Sequence, residues 1–435
     1  MSCASLEKLT SSTQNINSMK QKTLIVIFLF FHYTIQAQER LTLNEILPQI
    51  AKNHPGLKSY DAQVRSLDEA AKGAKNWEPP QLGTGLWMTP YNPSLWKKQS
   101  DGSSGMGQYM ISAEQMLPNR KLQNAEQRYL ESMSSVEKEK KTASLNELNA
   151  QAKGLYYDWL IIKKKSSVLD QAEKILDFMI KNAELRYKNN LGKINAYYKA
   201  KASLGNILNM RVMFENEITQ KRIALNTLMN RNRNTIFEID TTYSISDYSG
   251  YEFDSTVFIN SRSDIKVVER DIQLTSLQQD LEKAKLKPTF GVRFDHMFGF
   301  GGMPMQYSLM GTVKLPMAKW SSRTSKANIE SLKWKMESLN LQKENIINEA
   351  TGMAYGIKNE ILSRQKQERL FEDNIIPALR KNFQTMQLGY ENSTEELFEL
   401  YDAWETLNMT QLQYFDQLQQ LLALQVELER ILEVK

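Results

Sequence analysis

The sequence predicts a mainly α protein with a small β part, in which long antiparallel helical hairpins and short strand pairs form an internal twofold repeat. Three observations lead there. Motifs recur in the same order in the two halves of the chain. Asn53-His-Pro-Gly-Leu57 opens a run that closes in Pro79-Pro80-Gln-Leu-Gly-Thr-Gly85, and Ser261-Arg-Ser-Asp-Ile265 opens a matching run to Lys287-Pro288-Thr-Phe-Gly-Val-Arg293, 208 residues later. Gln115-Met-Leu-Pro118 is answered by Val313-Lys-Leu-Pro316, 198 residues later, and Arg186-Tyr-Lys-Asn-Asn190 by Gly389-Tyr-Glu-Asn-Ser393, 203 residues later. Such a period far exceeds the ~20–50 residues of a solenoid repeat, so it reads as a duplicated half. Apolar residues also keep an unbroken three-four spacing over long stretches. Finally, only 19 Gly and 11 Pro occur in 435 residues, mostly at strand-like segments, so helices can run far without a breaker.

Residues 1–37 read as an export signal. Lys20 and Lys22 give a basic region, Thr23-Leu-Ile-Val-Ile-Phe-Leu-Phe-Phe31 an apolar core, and Ile35-Gln-Ala37 a cleavage site, with Met19 as an alternative start. The apolar core is too short to span a bilayer as a helix, which takes ~20 residues. No later segment reads as a transmembrane helix. If the mature chain spans a membrane, it does so as a closed barrel, because open strand edges are not tolerated in hydrocarbon.

The first repeat covers 38–231. Leu41 to Lys75 is expected as one helix. Leu82 to Thr89 and Gln108 to Gln115 are expected strands, separated by a loop rich in Ser, Gly, Asn and Pro. From Asn119 to about Leu185 there is no proline and a lone Gly154, enough for ~100 Å of helix at 1.5 Å per residue. Leu145, Leu148, Ala152, Leu155, Trp159 and Ile162 form its seam, which slips between 162 and 169. The helix reverses at Lys188 to Lys193. A polar linker, 232–260, leads to the second repeat, 261–435. There Thr289 to Phe298 and Tyr307 to Lys314 are the strands, and a second hairpin reverses at Glu391 to Glu396. Asn190 and Ser393 sit at the reversals, where left-handed backbone is used.

The strands alternate. Phe290, Val292, Phe294, His296 and Phe298 share one face, with Arg293 and Asp295 on the other. This suits either a half-buried soluble sheet or a barrel with a lipid face and a wet lumen, and the export signal favours the barrel. In the last helix Leu397, Leu400, Trp404, Leu407, Gln411, Tyr414, Leu418, Leu421, Gln425, Leu428 and Leu432 form a coiled-coil seam. Phe415, Leu422 and Val426 form a second line, as expected of a helix in a closed ring.

The net charge of +5 suggests neither a nucleic-acid binder nor a polybasic tail. The single cysteine, Cys3, precedes the export signal and would leave with it, so the mature chain has no thiol chemistry. No phosphate loop, nucleophile elbow or His-Glu-Xaa-Xaa-His motif occurs, and neither an enzyme nor a cofactor site is expected.

In the order and duplication of these motifs, from Leu41 to the C-terminus, the sequence resembles the TolC-type outer-membrane efflux family. The resemblance implies a homotrimer in which each protomer gives four strands to a shared twelve-stranded outer-membrane barrel, with the helices forming an α-barrel tunnel through the periplasm. It implies a duct for an efflux or type I secretion system, working with an inner-membrane pump and a periplasmic adaptor, in contact with outer-membrane lipid and with no nucleic acid. It places two acidic rings at the periplasmic entrance, at Glu399 and Asp402. The family's Tyr–Arg–Asp lock is matched only at Tyr390. Glu395 stands where the arginine is expected and Ala196 where the aspartate is. Lys193 and Lys199 at the first tip and Glu395 and Glu396 at the second suggest lysine–glutamate gate contacts instead. Asn190, Leu191, Ser393 and Thr394 mark the tips near which an adaptor would dock.

Nine methionines crowd the strand end: Met88, Met106, Met110, Met116, Met297, Met303, Met305, Met310 and Met317. They suit either lipid-facing and gap-filling apolar surface or a soft-metal (Cu or Ag) efflux channel of the same architecture. His54 and His296 lie in different elements and make no ligand cluster, so no metal site is expected from them. Two other readings stay open: a periplasmic adaptor with one hairpin, and a structural coiled-coil protein.

Overall fold

The computed structural model describes residues 39–433. The expected export signal and Cys3 lie outside the described residues. The chain divides into two compact units. One contains the residues up to Gln49, Leu155–Ser244 and Thr385–Phe415. The other contains Ile50–Gly154, Ile245–Gln384 and the residues from Asp416.

The elements follow in order. β1 (Arg40–Leu41), α1 (Leu43–Asn53) and α2 (Pro55–Ala71) lead through a 3₁₀ turn to β2 (Gln81–Trp87) and β3 (Gln108–Met116). Then come α3 (Arg120–Lys188), α4 (Ile194–Leu228), β4 (Glu238–Ile239), α5 (Ser255–Ser261) and α6 (Ser263–Lys285). β5 (Thr289–Gly299), β6 (Gln306–Lys314), α7 (Arg323–Leu370), α8 (Ile376–Glu391) and α9 (Leu397–Leu432) complete the chain.

The expected first helix is two helices. His54 is extended (φ −61°, ψ 125°) because it precedes Pro55, whose ring disfavours helical backbone in the residue before it. The polar linker is also not featureless: it contains β4, which pairs in parallel with β1, and α5. A π-type turn, Phe371–Ile375, separates α7 from α8. Pro377 just beyond has no N–H to donate four residues back, and the hydrogen-bond ladder widens at that point.

The sheet of the second unit has the order β2-β3-β5-β6, every pair antiparallel. Its register joins the apolar residues of all four strands on one face. Leu82 opposes Ala113, which opposes Phe294, which opposes Leu309. Leu86, Tyr109 and Phe298 make another row, and Phe290 and Val313 a third pair. This face is open: Leu82 is 78% exposed, Leu309 69%, Val313 53% and Phe290 52%. The other face is mostly polar. Arg293 pairs with Asp295 at 2.9 Å, and Ser308 donates to the same carboxylate at 3.2 Å. Gln108 donates to Gln306 at 3.1 Å. The two strand-connecting loops touch through Trp96 stacked on Phe300 (5.3 Å between centroids) and through the Gly105 N–H donating to the Gly301 carbonyl at 3.0 Å. Gly301 is left-handed (φ +57°), and a Cβ there would sit 2.6 Å from the Gly105 nitrogen. No helix among the described residues is long and apolar enough to cross a membrane.

Each unit has its own helical core. In the second, α6 runs along α7, tied by Gln279 donating to the Ile329 carbonyl at 3.2 Å. Leu418, Leu421, Gln425, Leu428 and Leu432 of the predicted seam are buried there, as are Leu422 and Val426 of the second line. In the first unit, Trp159 and Phe237 meet edge to face at 5.1 Å, both fully buried. Arg211 of α4 bridges Asp170 and Glu173 of α3 at 2.8 and 2.5 Å, fixing the register of that antiparallel pair.

Candidate functional site

The predicted functional residues converge at the two helix reversals of the first unit. The reversals share one construction. At the end of α3 the Leu191 N–H donates to the Arg186 carbonyl (2.8 Å) and the Asn190 N–H to the Tyr187 carbonyl (3.0 Å). After α8 the Thr394 N–H donates to the Gly389 carbonyl (2.9 Å) and the Ser393 N–H to the Tyr390 carbonyl (3.1 Å). These pairs are the six-to-one and five-to-two bonds of the Schellman motif. Asn190 (φ 58°) and Ser393 (φ 61°) take the left-handed conformation that the motif requires. The serine is the less accommodating of the two, since it carries that backbone without the amide that makes asparagine tolerant. Thr394 reinforces its turn, with its hydroxyl donating to the Gly389 carbonyl at 3.0 Å. Gly389 has no room for a side chain, because a Cβ would lie 2.5 Å from Glu395 Cγ.

Around the second tip, side chains from both hairpins meet. Tyr390 is 5% exposed, and the Arg186 guanidinium lies 4.9 Å from its ring centroid. The Tyr390 hydroxyl is buried with no hydrogen-bond partner among the described residues. Lys199 of α4 rests on two aromatic faces of α9, 4.4 Å from the Phe398 centroid and 4.1 Å from that of Tyr401. The Tyr401 hydroxyl donates to Glu405 at 3.1 Å and lies 2.5 Å from the Ser203 hydroxyl. Burial is the main reason that the Tyr401 phenol titrates above its ordinary range.

Glu399 and Asp402 are both exposed on α9. Lys193 is exposed immediately before α4, and Glu396 immediately before α9. Among the described residues no ion pair within the chain joins Lys193 or Lys199 to Glu395 or Glu396. Leu191, at 69% exposure, and Ser393 and Thr394 stand at the outer surface of their turns. The residue that sequence reasoning missed is Arg186. Its signal was present in the repeated motif itself, where Arg186 answers Gly389, but the contact with Tyr390 joins helices some 200 positions apart and has no local signature.

No protein-family model matches the sequence, and no curated protein matches it. Solved structures do. The outer-membrane channel OprN superposes with a TM-score of 0.70 at 14% identity, over 90% of this chain and 89% of that one. The outer-membrane protein VceC of Vibrio cholerae gives 0.68 at 14% identity, over 90% and 95%. The Campylobacter jejuni outer-membrane channel CmeC gives 0.67 at 11%, over 90% and 85%. At these identities the likeness is one of fold: the chain has the fold of these outer-membrane channels.

Proposed function

We propose that three copies of this chain close a twelve-stranded barrel in the outer membrane, continued by an α-helical tunnel in the periplasm. The assembly serves as the exit duct of a tripartite efflux or type I secretion system. The observation that carries this reading is the four-stranded sheet with an open apolar face and two unpaired edges, β2 and β6. Four strands cannot close on themselves, whereas single-chain membrane barrels start at eight. In hydrocarbon each unpaired backbone group costs several kcal/mol, so the edges need partners, and further copies of the chain supply them. From Phe290 to Phe298 the apolar face extends about 26 Å along the strand at ~3.3 Å per residue. Tilted by ~40°, that gives a height of about 20 Å, near the ~25 Å apolar band of outer-membrane barrels. The fold likeness to outer-membrane channels supports the same reading, and the shared bonding at the two reversals supports descent from a duplicated half.

In such a trimer Glu399 and Asp402 form two rings of three carboxylates, one helical turn apart, that favour cations at the entrance. The closed entrance is held by cations on aromatic faces, Arg186 on Tyr390 and Lys199 on Phe398 and Tyr401, with Lys193 placed to meet Glu395 or Glu396 of a neighbouring hairpin. Asn190, Leu191, Ser393 and Thr394 mark the surface that a periplasmic adaptor would meet. The inner-membrane pump supplies the energy; this chain conducts and performs no reaction. Extraction of membranes with detergent, followed by mass measurement and planar-bilayer conductance, tests the proposal. A trimer with a stable conductance is expected. A monomer that washes off the membrane without detergent would overturn it.

A further inference from the structure

We propose that the polar face of the sheet carries a thioether site for a soft monovalent cation, Cu(I) or Ag(I), formed by Met110, Met297 and Met303. The inference deepens the reading of this sheet as a duct wall by naming a cargo class, although the three sulfurs come from one chain. The strand methionines are sorted by face. Leu, Ile, Val, Phe and Tyr fill the apolar face, and no methionine is among them. All four strand methionines, Met110, Met116, Met297 and Met310, have the parity of Gln108, Ser112, Arg293 and Asp295, and so stand on the polar face. A lipid-facing role therefore does not explain them. Met116 fills the space over Gly291, where a Cβ would lie 2.6 Å from its sulfur, whereas a Cβ at Gly85, opposite Met110, would have nothing within 4 Å.

Two of the four are direct partners. Met110 opposes Met297 in the β3–β5 register, which puts their Cβ atoms about 4.5–5.5 Å apart on one face. The third sulfur is held beside them. Gln108, two residues before Met110, opposes Gly299, two residues after Met297. Gln108 is 6% exposed and donates to the Met303 sulfur at 3.3 Å. A Cβ at Gly299 would lie 2.6 Å from Met303 Cβ, so Met303 occupies the space that a larger residue at 299 would take. The glycine and the buried amide together fix a thioether against the row next to the Met110–Met297 pair. Neutral sulfur ligands select soft monovalent ions over hard divalent ones.

The test uses the full-length protein in detergent, with Cu(I) supplied under reductant in competition with a colorimetric Cu(I) chelator. The wild type is expected to retain about one Cu(I) per chain. Met110→Leu, Met297→Leu and Met303→Leu should each lose that ion, and the exposed loop variant Met88→Leu should keep it. Leucine conserves volume, so the fold is retained, and light scattering on each sample reports the assembly. Equal copper retention by the wild type and by the Met110→Leu/Met297→Leu double variant would overturn the site. A trimer without copper sinks this inference and leaves the duct intact. A monomer that holds copper sinks the duct and leaves the site.

Discussion

Placing an arginine at the centre of the apolar sheet face is the sharpest test of the proposed contact between this sheet and a membrane. Phe294 lies midway along β5, 45% exposed, between Ala113 and Leu309. On a lipid face at mid-depth, Phe294→Arg costs about 2–4 kcal/mol per copy. Three copies, well separated around a barrel, make the costs roughly additive, about 6–12 kcal/mol per trimer. That is comparable with the whole stability of an ordinary domain, ~5–15 kcal/mol. Ser112 is the control. It lies one row along on the opposite face, beside Asp295 and Gly83. Ser112→Arg would enter a wet lumen next to a carboxylate and should change stability by no more than ~1 kcal/mol. The assay is urea unfolding of the trimer reconstituted in lipid vesicles, read by tryptophan fluorescence and by heat-modifiable migration on gels. The expected result is loss of assembled protein for Phe294→Arg alone. Equal tolerance of both variants would show that neither face meets lipid, and the proposed orientation of the sheet would fail.

Other expectations concern the tips. Arg186→Ala removes a cation–π contact worth about 0.5–2 kcal/mol and should raise single-channel conductance in planar bilayers, with Arg186→Lys in between. An unchanged conductance would exclude Arg186 as a fastener. The pair Glu399→Gln and Asp402→Asn should shift the reversal potential in a KCl gradient toward lower cation preference, and no shift would remove the acidic rings from the account. Lys193→Glu should open the entrance if the lysine meets Glu395 or Glu396 of another hairpin, so conductance equal to wild type counts against that pairing. Because burial holds the Tyr401 phenol above its usual range, Tyr401→Phe should reduce the late amplitude of an ultraviolet titration by one tyrosine, leaving the buried Tyr156, which is pushed up to about 12; an unchanged late amplitude would count against it.

Much of this architecture is legible in the chain because the elements are long and periodic. The strands expected at Leu82 to Thr89 and Thr289 to Phe298 appear at Gln81–Trp87 and Thr289–Gly299, and both reversals fall where a polar, left-handed-tolerant residue interrupts a seam. What escaped lacks a periodic signal. β1 and β4 are two residues each and exist only because they pair across the chain. The break at His54 depends on the one residue that precedes Pro55. The predicted slip near 162–169 falls inside an unbroken α3, whereas the second hairpin has its interruption at Phe371–Ile375. At the tips the sequence located the acidic and basic residues, but the cation–aromatic contacts of Lys199 and Arg186 are tertiary and depend on which helices become neighbours.

The segregation of methionine on the sheet has a consequence under oxidative attack. Peroxide converts thioethers to sulfoxides, turning a flexible apolar group into a polar one. On this sheet the strand thioethers all stand on the face that already carries Arg293, Asp295 and Ser308, so the chemistry would make a polar wall more polar. The residues of the opposite, apolar face, Leu82, Ile111, Phe294 and Leu309 among them, contain no sulfur to attack. Damage would thus fall on what the polar face can bind and, in the proposed duct, would leave the apolar anchoring surface intact.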